Sequence, residues 1–93
     1  MNIREIISEI GDPDRLLLPT RGTHDEALQR QACYWILNFQ HGMTQYEIAK
    51  HFSRTHQAIS MGIIKVDECL HGEHKHSKVM QEILSLVDVK PQV

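Results

Sequence analysis

Residues 45–60 read Gln45-Tyr46-Glu47-Ile48-Ala49-Lys50-His51-Phe52-Ser53-Arg54-Thr55-His56-Gln57-Ala58-Ile59-Ser60. Their spacing is that of two helices joined by a tight turn. Thr44 and Glu47 stand three residues apart, the pattern of a capping box that opens a helix. Ile48 and Phe52 then share one face, and small Ala49 sits where a second helix must come close. Ser53-Arg54-Thr55 is the turn, with Ser53 where glycine is frequent. Thr55 or a neighbour caps the next helix, which Ile59 and Ile63 anchor from below. Thr55, His56, Gln57 and Ser60 are left on the outer, N-terminal part of that second helix. This is a helix-turn-helix, and that part of the motif is the one that enters a DNA major groove. Their side chains all hydrogen-bond to base edges or phosphates, and a helix N-terminus attracts phosphate.

The chain on either side is helical in pattern as well. Upstream, Asn2 can cap a helix in which Ile3, Ile6, Ile7 and Ile10 make one apolar stripe. Gly11 ends it, and Asp12-Pro13 starts a short turn through Leu18. Thr23 and Glu26 form a capping box for a long helix from about His24 to Gln40. Ala27, Gln31, Ala32, Trp35, Ile36 and Phe39 mark its inner side, and Gly42 closes it. Downstream of the motif, a helix from about His56 to Leu70 carries Ile59, Ile63, Val66 and Leu70 inward. Ser77 can cap a last helix whose Val79, Ile83 and Leu86 face the core. The expected architecture is all-α: a compact bundle of about five to six helices, one domain over residues 1–93, with a frayed tail from about residue 88.

Composition narrows the function classes. With 93 residues, the chain supports one modest core. Its 41% hydrophobic content is too high for a disordered chain. No apolar run approaches the roughly 20 residues of a membrane helix, and the opening residues do not read as a secretory signal. The two cysteines, Cys33 and Cys69, lie in apolar helical patterns. They are expected to be reduced, buried thiols of a cytoplasmic protein.

The formal net charge is −2, but it is unevenly spread. Residues 1–40 carry four basic and six acidic side chains, and residues 67–93 carry three and five. Residues 41–66 carry Lys50, Arg54 and Lys65 against Glu47 alone, and also hold His41, His51 and His56. The motif is therefore the only net-positive third, a basic footprint on an acidic body.

From Ile3 to Val87 the order of these features resembles the C-terminal duplex-DNA-binding domain of the bacterial chromosomal replication initiator DnaA, a Trp-repressor-like helix-turn-helix. Arg30-Gln31-Ala32-Cys33-Tyr34-Trp35-Ile36 is similar to that family's RQ-x-A-M-Y-L helix. Tyr46-Glu47-Ile48-Ala49-Lys50-His51-Phe52 parallels its P-E-I-G-x-x-F, and Ser53-Arg54-Thr55-His56-Gln57-Ala58-Ile59 parallels its signature G-R-D-H-T-T-V. The resemblance implies that His56 touches bases and phosphates in the major groove. It further implies that Arg30 and Gln31 lie near the DNA backbone and base edges, with Arg21 near a minor groove. Gln57 and Ala58 stand in place of the two signature threonines, and Thr55 replaces the acidic residue.

The expected function is double-stranded DNA binding, possible sequence specificity included. His56, Gln57 and Ser60 would read base edges, Thr55 would lie beside them, and Arg54, Lys50 and Lys65 would approach phosphates. A protein-interaction module of the same fold and a small dimeric regulator are the alternatives. Otherwise a monomer is expected, without membrane contact or small-molecule substrate. No Gly-rich phosphate loop and no framed nucleophile–base arrangement occurs, so no enzyme and no cofactor are expected. His71, His74 and His76 near Glu73 read as a polar connector and not as a metal site, because no cysteine pair accompanies them. Tyr34, Trp35, Phe39 and Phe52 read as core and not as a base-stacking platform.

Overall fold

A computed structural model describes residues 2–19, 22–72 and 74–87. Six helices follow in chain order: α1 (Ile3–Ser8), α2 (Pro13–Leu16), α3 (His24–Phe39), α4 (Gln45–Phe52), α5 (His56–Leu70) and α6 (Ser77–Leu84). No strand occurs among the described residues. The expected all-α bundle is what forms, and the tail from residue 88 lies outside the described residues.

Most helix starts are set by short polar side chains. Asn2 caps α1, Asp12 caps α2 with Pro13 in the first turn, and Thr55 caps α5 by accepting from the Ala58 N–H at 3.1 Å. At α3 the capping box is complete: Thr23 Oγ1 accepts from the Glu26 N–H, and Glu26 Oε1 accepts from the Thr23 N–H. At α4 only one half forms. Thr44 Oγ1 accepts from the Glu47 N–H, but the Glu47 carboxylate accepts from the Thr44 hydroxyl and not from its backbone N–H. Helix α6 begins at Ser77, but its cap residue is His76, with no side-chain cap bond; the Ser77 hydroxyl donates back to the His74 carbonyl.

Helix α3 is the central element. Ala32, Cys33, Trp35, Ile36 and Leu37 on it are buried, and α4, α5 and α6 all pack around it. Ile48 and Phe52 of α4 and Ile59 and Val66 of α5 are fully enclosed. Phe52 meets the Tyr34 ring edge-on with centroids 4.9 Å apart, a favoured aromatic geometry. The Trp35 indole N–H donates to Asp67 Oδ1 at 3.0 Å, so the one polar atom of that buried ring is satisfied and α3 is tied to α5.

Three apolar faces differ from those the periodicity suggests. In α6, Met80 and Leu84 are buried, whereas Val79 and Leu86 are exposed. In α5 the last inward residue is Cys69 and not Leu70. In α3, Phe39 is exposed and lies beside the Trp35 ring with centroids 5.2 Å apart. In each case two apolar residues compete for one inward direction, and the geometry of the neighbouring helix selects between them.

Candidate nucleic-acid interface

Helices α4 and α5 are joined by a turn whose first residue, Ser53, adopts the left-handed conformation with φ 52° and ψ 46°. That conformation lets the Arg54 N–H reach back to the Ala49 carbonyl at 3.0 Å, which satisfies the end of α4. The chain then reverses within three residues and Thr55 restarts it. Ile59 is fully buried one turn into α5 and fixes the roll of that helix. Thr55, His56 and Gln57 are consequently exposed, with Ser60 half-exposed on the following turn. Lys50 on α4 is exposed, and Lys65 and Arg54 are partly exposed. The structure thus brings together His56, Gln57, Thr55 and Ser60 at one end of α5.

The Tyr46 ring lies against the His56 imidazole, with centroids 4.3 Å apart and planes 10° from parallel. Tyr46 is 70% exposed, so the stacked pair stands in solvent at the start of α5. The sequence reading left Tyr46 out of the site. Its signal was an aromatic residue at the second position of the motif's first helix, which no core face required.

The two residues expected to set register behave differently from the exposed row. Arg30 is only 4% exposed, and its Nε–H donates to the Leu16 carbonyl at 3.0 Å. Burial and the positive charge of Arg54 both hold its pKa below the ordinary arginine value. Gln31 is half-buried and packs where α3 touches α5; its amide oxygen is enclosed without a hydrogen-bond partner among the described residues. Arg30 is therefore an interior side chain that reaches the surface only through the wall of a cleft described below. Arg21 lies outside the described residues.

The α3–α5 crossing that positions the N-terminal end of α5 is closest at Gly62. A Cβ there would sit 2.8 Å from Tyr34 Cδ2 and 3.3 Å from Gln31 Cγ. The backbone of α5 therefore rests directly on the Tyr34 ring. Farther along α5 the outward face becomes apolar, with Met61 and Ile64 at 68% and 53% exposure.

No protein-family model matches this chain, and no curated protein or solved structure is significantly similar to it. Among the described residues, no helix is long and apolar enough to cross a membrane.

Proposed function

We propose that the chain binds double-stranded DNA through α4 and α5, with the N-terminal end of α5 in the major groove. The observation that carries this reading is the exposed row Thr55, His56 and Gln57 at the start of a 15-residue helix whose first inward residue, Ile59, is fully buried. A rigid helix end that presents hydrogen-bonding side chains and no buried duty for them suits base-edge contact. Lys50, Arg54 and Lys65 flank it and supply phosphate attraction. The residue pattern shared with the DnaA C-terminal domain favours the same reading.

The test is selection of sites from random duplexes, followed by fluorescence-anisotropy titration of the selected site. His56→Ala and Gln57→Ala are each expected to weaken specific binding by roughly 1–3 kcal/mol. Their thermal midpoints should stay near that of the parent, since both side chains are exposed. Undiminished binding by the double variant would rule out direct readout by this helix.

A second reading draws on Met61 and Ile64, which sit exposed on the same helix. An apolar pair in that position suits a protein partner or a second copy of this chain. Sedimentation at micromolar concentration, with and without Met61→Lys, distinguishes that reading: self-association abolished by the lysine would favour it over DNA.

A further inference from the structure

Between the start of α3, one side of α5 and the connector ahead of α6 lies a cleft of about 760 Å3. That is within the size range of small-ligand sites. Four permanent cations line it: Arg30 on α3, Arg54 in the turn, Lys65 on α5 and Lys75 in the connector. At the connector end three imidazoles converge. The His24 and His76 rings are 4.7 Å apart, and the His74 and His76 rings 5.2 Å apart. No carboxylate is among the described residues that line the cleft. Glu26, in the first turn of α3, is taken up by a two-point ion pair with Arg15 and by the Thr23 N–H.

Like charges gathered around a concave space repel one another, and the repulsion is strongest where water is partly excluded. The His76 imidazole shows it: burial, and then the neighbouring His24, His74, Lys75 and Lys65, hold its pKa below the ordinary histidine value. Every charged or titratable group named around that ring has the same sign. His74 Nδ1 also accepts from the His76 backbone N–H at 3.1 Å, a bond that the neutral ring makes. An anion in the cleft would reverse this balance and favour the charged rings. The apolar part of the wall, Ala27, Leu28 and Ala58, leaves the cations as the groups that choose the ligand.

We propose that this cleft is a binding site for phosphate groups, strengthened by protonation of the His24–His74–His76 cluster. The phosphates are either the diesters of a duplex that runs past Arg54 and Ala58 into the cleft, or those of a free oligoanion; the recognising chemistry is the same. The proposal does not rest on the helix-turn-helix reading: of the seven groups named, only Arg54 and Lys65 also flank the proposed DNA interface, and the other five lie outside it.

The test follows the ring signals of the three histidines by NMR during titration with inorganic sulfate, a tetrahedral dianion of constant charge between about pH 6 and pH 8, and separately with a short duplex. Sulfate is expected to shift these signals and raise their titration midpoints. Its affinity should tighten roughly 3- to 10-fold from about pH 8 to about pH 6, as proton-linked binding requires. Lys75→Gln, at an exposed position, should weaken binding at both pH values. His24→Gln, His74→Gln and His76→Gln combined should remove the pH dependence while circular dichroism reports an intact fold. Shifts caused by the duplex and not by sulfate assign the phosphates to DNA; shifts caused by sulfate with no competition from the duplex assign them to a free anion. Histidine signals unmoved by both probes, or a pH dependence that survives substitution of all three histidines, would overturn the proposal. Failure of the DNA reading looks different: the duplex leaves His56 and Gln57 unmoved while sulfate still moves the trio.

Discussion

Gly62 sets two energies against each other. In the middle of a helix, glycine is less favourable than alanine by about 1 kcal/mol. Here an alanine Cβ would lie 2.8 Å from the ring of Tyr34, which is itself only 4% exposed and held edge-on by Phe52. The ring is almost wholly buried, and overpacking of this kind costs typically about 1–3 kcal/mol. Gly62→Ala is therefore expected to destabilise the fold by up to about 2 kcal/mol, against the usual sign for an internal helix. Urea unfolding of the two forms measures it, and a stabilised variant would show that α3 and α5 can separate slightly at this crossing. The sequence does not announce this role for Gly62, since a glycine within an apolar helical pattern has no partner until the fold provides one. Ile59 and Trp35, by contrast, are legible as core from spacing alone, and both are buried. Arg30 falls between these cases. Its type suggested a surface contact, but a long stem on the inner side of α3 let its head find the Leu16 carbonyl.

The turn between α4 and α5 carries a different strain. Ser53 is the one non-glycine residue with positive φ among the described residues, and the left-handed region costs an L-residue roughly 1–2 kcal/mol. Glycine adopts it freely but has more unfolded-state entropy to lose. Ser53→Gly is thus expected to stabilise the domain by about 0.5–1 kcal/mol, read as a higher urea midpoint with an unchanged slope. A midpoint that falls would mean that the Ser53 side chain holds the turn. At the start of α3, Glu26 joins the cap of that helix to Arg15 of α2. The Arg15 guanidinium, and then the Thr23 N–H, hold its carboxyl down to about 2. A carboxyl lowered on folding contributes stability that is fully present above its ordinary value and is lost as pH falls toward the folded value. Thermal midpoints of the parent and Glu26→Gln should therefore differ most above about pH 5 and converge near pH 2. A gap that stays constant over that range would assign the effect of the substitution to something other than the carboxylate charge. Helix existence and order were readable at this scale because capping threonines and glycines punctuate the chain. The inward face of α6 was not. Val79, Ile83 and Leu86 form one apolar row and Met80, Leu84 and Val87 another, rotated by a single residue. Periodicity gives both rows equal standing, and only packing against α3 and α5 chooses Met80 and Leu84.

Across the whole molecule the charges oppose DNA binding in sum and support it in place. The chain carries 12 acidic against 10 basic side chains, so long-range steering of a polyanion is weak. Among the described residues, the cations placed to meet phosphate at this face are few: Lys50 is exposed, Arg54 and Lys65 are partly exposed, and Lys75 stands at the far end of the cleft. Arg30 is enclosed and already bonded to the Leu16 carbonyl, so it releases no full counterion from the surface. Each neutralised phosphate contributes about −0.9 to the slope of log K against log salt. If Lys50, Arg54 and Lys65 engage without Lys75, the slope is about −2.7, and with Lys75 it is about −3.6. Duplex titrations at several salt concentrations should therefore fall between roughly −2.5 and −4, shallow for a DNA-binding domain. Lys75→Gln distinguishes the two cases: a change of about 0.9 in slope carries the DNA backbone to the connector end of the cleft, and no change stops it short of Lys75. A slope near zero would leave these cations without phosphate partners and would overturn the proposed interface as a whole.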